Sequence, residues 1–366
     1  MTQEYAEPAP AENQPAPSRL SRRNITWLVT AVLIVAVVAA LNLIHVPYVI
    51  LRPGPAVNTL GKSDGKEVIA VTGAPTYPTS GSLDFTTVSM AGGPNYPVSV
   101  IEYLQAKYLS RNAQVDPQEV WFPKDITGKQ VQEQNTAEMT DSQETAEVVA
   151  LRAAGFTVPE TISVAAIQKG AASQGVLKVN DVLVRVNNVP VTDLASVATI
   201  MRQVKPGTTV PVVVRRGGKE QPLQVPTGNN NGRAVFGIGI APDYRLPVTI
   251  KVNVGDVGGP SAGMMFTLAI YDKLTPGALT GGKRVAGTGT ISEDGSVGPI
   301  GGIRQKMVGA KDAGAKFFLA PQSDCGDARG YVPSGLTVIS VTTVQQAIAQ
   351  LKKIAGGQTT GFPSCS

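Results

Sequence analysis

The chain has 366 residues, 42% of them hydrophobic, which is enough for two domains of ordinary size and an accessory segment. Its net charge of +5 is scattered and aromatics reach only 5%; a nucleic-acid-binding protein would show a basic stripe with interleaved aromatics, so that class is set aside. Two cysteines and a single histidine, His45, argue against a zinc site, and no metal or cofactor is expected.

Residues 1–18, MTQEYAEPAPAENQPAPS, are too poor in apolar side chains to fold, so residues 1–24 read as a disordered tail. Ile25 to Ile44 form an almost unbroken apolar run, and about 20 helical residues cross a bilayer core, so 25–45 is expected to be a transmembrane helix. Arg19, Arg22 and Arg23 precede it, and the positive-inside rule then puts the amino terminus in the cytoplasm. The expected location is the cell membrane, single-pass, with everything after His45 extracytoplasmic. Val38-Ala39-Ala40 offers a rival reading, a signal-peptide cleavage site. The apolar run continues past it and the polar stretch before it is long for a signal, which favours an uncleaved anchor.

The stretch LRPGPAVNTLGKSDGKEVIAVTG is turn-rich, and GSLDFTTVSM alternates as a strand does. Residues 100–112, VIEYLQAKYLSRN, read as a helix with Ile101, Leu104 and Tyr108 on one stripe. A second helix is expected over MTDSQETAEVVALRAAG, with Asp141 or Ser142 as N-cap and Gly155 as its stop.

Residues 161–225 change texture to strand, turn, short helix, strand, turn, helix, strand, hairpin and strand, with Gly217-Gly218 as the hairpin turn. On KGAAS (169–173), LKVNDVLVRVNNVPV (177–191) and VKPGTTVPVVVRRGGKE (204–220), the segment resembles a PDZ domain, especially those of bacterial cell-envelope proteases. The resemblance implies a partly open β-barrel with helices over 155–228, and a groove that adds an extended peptide as an extra strand. It also implies a carboxylate-binding loop before the first strand, where Gly155-Phe156-Thr157-Val158 stand as a poor copy. A spacer domain with a closed groove is the alternative. Gly228 then opens a polar joint, GNNNGR, before the segment 232–355.

Within that segment GPSAG, Gly259 to Gly263, fits the G-x-S-x-G turn that exposes a nucleophilic serine. A Ser-His-Asp triad needs a nearby imidazole, and His45 sits at the membrane edge, so the triad is excluded. A lysine base is what remains, and it must be desolvated to be neutral near pH 7. Of Lys273, Lys283, Lys306, Lys311 and Lys316, only Lys306 has small, uncharged helical neighbours: Gly302, Ile303, Gly309 and Ala310. This preference does not by itself bring Lys306 to Ser261.

Residues 255–263, GDVGGPSAG, and 286–306, AGTGTISEDGSVGPIGGIRQK, resemble the proteolytic domain of Lon-family proteases. The resemblance implies an α+β fold, a Ser261–Lys306 dyad, and Thr288 as a hydrogen-bond partner of the lysine. Gly259, Pro260 and Asp256 are supporting residues. The segment 46–154 would complete the same domain, making the PDZ an insertion. Two positions depart from the family pattern: Gly258 stands where an acid often precedes the serine by three, and Thr290 replaces an acid in the T-G-x-I strand. GALTGGKR (277–284) misses a P-loop because Arg284 stands where Ser or Thr is required.

In an oxidising exterior Cys325 and Cys365 are a candidate disulfide that pins the tail, residues 356–366, to the domain, although spacing alone leaves free thiols open. The layout is similar to membrane-anchored, PDZ-containing Lon-like proteases. It implies an ATP-independent serine endopeptidase acting on extracytoplasmic proteins or peptides, with a homo-oligomer by analogy. The other hypothesis is a PDZ adaptor on an inactive Lon-like scaffold.

Overall fold

The computed structural model describes residues 22–63 and 65–365. The expected tail lies almost wholly outside these residues, as does Arg19. The chain divides into two compact units, one made of residues up to Leu51 with Met90–Ile126, the other of Arg52–Ser89 with the chain from Thr127 onward.

In the first unit, helix α1 (Arg22–Leu43) begins at Arg22 and takes in Arg23, so the helix starts three residues before the expected boundary. It is long and apolar enough to cross a membrane, and it has no buried residue. It stops before the expected residue 45 because His45 and Val46 turn extended and pair antiparallel with Val98–Ser99. Strand β1 (Tyr48–Asn58) follows; its residues Tyr48–Leu51 belong to this unit and pair antiparallel with Gln114–Pro117. Ser99 and Glu102 form a reciprocal capping box that starts α2 (Val100–Leu104). The α-helix expected through residue 112 gives way to a π-helical turn over Gln105–Leu109. Ile50, Val98 and Ala106 form this unit's small core.

In the second unit, β2 (Ile69–Thr72) and β3 (Ser82–Ala91) precede α3 (Gly128–Ala153). That helix starts well before the expected Asp141 or Ser142, because Thr127 and Gln130 make a capping box. Its first half is polar and solvent-facing, so no apolar stripe announces it. Gly155, in the left-handed region at φ +87, follows the helix as expected.

The chain then builds an antiparallel sheet from β4 (Glu160–Ile167), β5 (Val182–Val186), β6 (Thr209–Arg216) and β7 (Lys219–Pro226), with α4 (Leu194–Met201) beside it. Gly217 and Gly218, both at positive φ, make the two-residue turn between β6 and β7. A further strand, β8 (Ile238–Tyr244), pairs along the whole of β4, from Ile238 opposite Ile167 to Tyr244 opposite Glu160. The joint expected at 228–232 is therefore an internal hairpin, Gly228–Asn230 with Arg233–Val235, and this sheet reaches Tyr244. Its core, built on Ile162, Leu183, Val197, Val212 and Phe236, is separate from the one described next.

Beyond it, β9 (Thr249–Val252) pairs antiparallel with β2, across the whole insertion. The remaining elements are α5 (Gly263–Leu274), β10 (Arg284–Gly287), α6 (Ile303–Asp312), β11 (Phe317–Pro321), β12 (Thr337–Val341) and α7 (Val344–Ala355). The central sheet runs β12-β11-β10-β3-β1, and β12, β11, β10 and β3 run parallel to one another. Strand side chains alternate between faces. Val285, Phe317, Leu319 and Ile339 pack with α3, α5 and α7 on one face, and Ala286, Phe318, Ala320 and Val338 pack with α6 on the other. Residues 277–284 lead into strand β10, where a P-loop would lead into a helix, and a Cβ on Gly281 would meet the Ala355 backbone at 2.6 Å. Cys325 and Cys365 are joined in a disulfide, and Ser340 N–H bonds Pro363 C=O at 2.9 Å, so the tail lies along β12.

Candidate active site

Ser261 lies in the turn that leads into α5, and four hydrogen bonds fix that turn. Gly259, at φ +84, donates its N–H to the Asn135 carbonyl of α3 at 3.0 Å. The buried Ser142 hydroxyl, also on α3, donates to the Pro260 carbonyl at 3.0 Å. The Ser261 carbonyl accepts from Gly289 N–H and from the Thr288 hydroxyl, each at 2.9 Å. The nucleophile's backbone is thus held between α3 and the end of β10.

Lys306 reaches the same point from α6 and is only 2% exposed. The helix starts at Gly302, which has φ +70, and Gly309 sits against β1: a Cβ there would lie 2.5 Å from the Gly54 carbonyl oxygen. The small-residue face therefore lets α6 approach closely and exclude water from the lysine. Lys306 Nζ stands 2.8 Å from Ser261 Oγ and 3.0 Å from Thr288 Oγ1.

Hydrogen counting orders these contacts. The single Thr288 hydroxyl proton is directed to the Ser261 carbonyl, so towards Lys306 its oxygen accepts. A neutral amine that gives one N–H to Thr288 keeps its lone pair for the Ser261 hydroxyl. Burial pushes the Lys306 ammonium down from its ordinary value near 10.5 to about 7, opposed by the negative charge of Asp324. Asp324 is itself buried, which pushes its carboxyl up to about 6, and it accepts from Ile300 N–H at 3.1 Å. Ile300 belongs to the turn that leads into α6, so Asp324 braces the approach of the lysine.

A cavity of about 260 Å³ opens on Ser261 and Lys306, walled by Phe85, Val88, Met139, Val257 and Ala262, with Thr86 and Thr87 also lining it. An adjoining cleft of about 600 Å³ runs between α3 and residues 252–258. Asp256 lines both at an exposed position. The acid missing at Gly258 has a steric reason: a Cβ there would lie 2.9 Å from Asn135 Cβ. Thr290 donates to the Pro299 carbonyl at 3.4 Å and faces Gly298, not the lysine. Ser142, Asn135, Phe85, Met139 and Asp324 carry no motif and come from distant segments. Only the spacing of Asp324 and Cys325 after β11 hints that something anchors there.

The residues expected to form a carboxylate-binding loop, Gly155 to Val158, close the end of α3. Phe156 N–H bonds Leu151 C=O at 2.9 Å as part of the α3 cap, and Val158 is buried in the core with α5. Gly155 and Thr157 flank them in the same connection. The antiparallel sheet has β7 at one edge and β8 at the other, and β8, introduced by Phe236 and Gly237, is the edge strand neighboured by α4. The edge strand beside α4 thus comes last in the chain order of this sheet, beyond the segment that reading forward from residue 155 assigns to it.

The Lon protease (S16) C-terminal proteolytic domain model matches residues 244–353, and the PDZ domain model matches 130–227. The chain carries a Lon-type proteolytic domain. The chain is 33% identical over 118 residues to Lon protease 1 of Bacillus subtilis (strain 168), covering 30% of this chain and 15% of that protein. It is 35% identical over 115 residues to Lon protease 1 of Sorangium cellulosum (strain So ce56), covering 30% and 14%. The match therefore spans about one-seventh of the length of these curated relatives. The PDZ domain of the SdrC-like protein from Listeria monocytogenes is similar at 16% identity and a TM-score of 0.21, covering 22% of this chain and 85% of that one. The Lon-type match begins at Tyr244, where β8 ends, and the PDZ match stops at residue 227, before β8 begins.

Proposed function

We propose that the protein is a membrane-anchored serine endopeptidase that works without nucleotide, with Ser261 as nucleophile and Lys306 as general base. The observation that carries this reading is the 2.8 Å approach of a buried, neutralisable Lys306 amine to Ser261 Oγ, with Thr288 setting its direction. Lys306 takes the Ser261 proton as Oγ attacks the peptide carbonyl, and the resulting ammonium returns the proton to the leaving amine. Water, deprotonated by the same amine, then hydrolyses the acyl-enzyme and restores the serine. Ser261 stands one residue before the Ala262 N-cap of α5, so the oxyanion forms at the positive end of a buried helix.

The apolar walls of the cavity suit a medium-sized apolar side chain beside the scissile bond. The free edge of β8 is the place where an extended peptide would add a strand, and β8 continues through residues 245–248 into β9 and the serine turn. A substrate held there is tethered a short length of chain from the nucleophile. Helix α1, which opens on Arg22 and Arg23 and is followed by the catalytic part, supplies the anchor, with the catalytic part outside the cytoplasm.

The test is cleavage of an unfolded protein by the full chain in detergent, without nucleotide. Ser261→Ala and Lys306→Ala are each expected to abolish it. Cleavage that survives either change removes the dyad, and a wild-type chain that binds but never cleaves supports an adaptor instead.

A further inference from the structure

The first unit carries an exposed apolar surface beside α1 that the protease reading leaves unused. We propose that the segment Tyr96–Arg111 is a second membrane-contacting element, lying in the phospholipid headgroup layer where α1 leaves the bilayer. This rests on the reading of α1 as a membrane anchor.

Position is the first argument. Val100 N–H donates to the Ile44 carbonyl at 3.0 Å, and His45–Val46 pair with Val98–Ser99, so α2 begins one hydrogen bond from the end of α1. Helix α2 also packs against α1, and Leu41 is the one residue of α1 that is partly covered. A helix of 22 residues is about 33 Å long, close to the roughly 30 Å of a bilayer core. Whatever surrounds the last turn of α1 therefore also meets α2.

The exposed side chains are the second argument. Ala106 turns inward and is buried, while Leu104, Tyr108 and Leu109 are 42%, 70% and 79% exposed. Tyr96, at 70%, lies just before the strand that pairs with His45–Val46. Leucines with tyrosines at such a site match the amphipathic layer between hydrocarbon and water.

Charge is the third. Lys107 donates to the Tyr103 hydroxyl at 2.7 Å and lies over the Tyr103 and Tyr108 rings, at 5.1 and 5.7 Å from their centroids. Arg111 is exposed close behind it. Glu102, the one acid in the segment, is turned back onto Ser99 in the capping box. The outward face thus offers cations among aromatic and aliphatic groups, which suits anionic phospholipid.

The experiment uses the full chain, whose native cysteines are bonded to each other, with single Leu109→Cys, Leu43→Cys or Lys353→Cys substitutions carrying an environment-sensitive fluorophore. Each is reconstituted in vesicles of phosphatidylcholine and phosphatidylglycerol that contain a headgroup-proximal spin-labelled lipid. The probes at 109 and 43 are expected to lose most of their emission, and the probe at 353 is expected to keep it. Adding Lys107→Glu and Arg111→Glu is expected to restore emission at 109 and leave 43 quenched. An unquenched 109 beside a quenched 43 overturns the inference and leaves the anchor standing; unquenched probes at both positions overturn the anchor reading itself. Emission at 109 that changes with protein density and not with the spin label assigns this face to a second copy of the chain, and also overturns the inference.

Discussion

Replacing Lys306 with methionine should abolish cleavage and yet stabilise the fold. In the folded chain burial lowers the lysine from near 10.5 to about 7. A difference of about 3.5 pH units corresponds to ~5 kcal/mol between protonation states. The unfolded chain binds the extra proton between these values, so folded-state stability rises with pH by about 1.4 kcal/mol per unit across that window. The penalty is complete below pH 7, where the buried amine must be charged, and gone above about pH 10.5. Methionine fills nearly the same volume with no charge and forfeits two hydrogen bonds, worth about 1–3 kcal/mol together. The net gain near neutral pH is therefore on the order of 2–4 kcal/mol. The assay is the thermal midpoint of full-length Lys306→Met and wild type, in the same detergent, at intervals from pH 6 to 10. The difference should be largest at and below pH 7 and shrink as pH rises. A difference independent of pH, or a less stable variant at pH 7, would refute the assignment of Lys306 as a desolvated, neutralisable amine.

Thr288→Val removes the acceptor that orients Lys306 and one of the two donors to the Ser261 carbonyl. It should lower kcat about 10- to 100-fold, one to two factors of 1.4 kcal/mol, while Thr288→Ser retains most activity; equal rates for valine and wild type would contradict the orienting role. Asp324→Asn keeps an acceptor for Ile300 N–H and removes the negative charge that raises the lysine. The acid limb of kcat/KM, set by the base, should move to lower pH, and an unmoved limb would show that the charge does not reach Lys306. Gly258→Asp, which supplies the acid that sequence comparison with the family pattern would ask for, should not raise activity. Its Cβ meets Asn135 at 2.9 Å, so a loss of about 1–3 kcal/mol of stability is expected by denaturation.

What could be read from the sequence is what local chemistry encodes. The small residues Gly302, Gly309 and Ala310 mark the face of α6 that must exclude water, and that face carries Lys306. The glycine pair 217–218 names its own turn. The Ser261 turn announces itself through Gly259 and Gly263. Long-range supports leave no such mark. Asn135 acts through its backbone carbonyl, which any residue supplies, and Ser142 reads as a helix N-cap until α3 is seen to start at Thr127. The first half of α3 faces solvent, so it lacks the periodicity that would have revealed it. Strand β8 falls in the segment 232–355 by sequence but joins the antiparallel sheet, because its partner β4 lies more than 70 residues earlier and nothing between Gly228 and Tyr244 encodes that partner. Asp324, the acid that acts on Lys306, comes from a loop that the disulfide ties to the tail, and no motif marks it.

The central claim is that a neutral Lys306 activates Ser261, and its most direct measurement is single-turnover acylation of the full chain by a peptide p-nitrophenyl ester, read by intact mass and site mapping across pH. An acyl group on Ser261, forming at a rate that rises with a midpoint near pH 7 and vanishing in Lys306→Ala, is the result expected. Acylation at another residue, or at Ser261 with a rate that neither pH nor the loss of Lys306 changes, would contradict it.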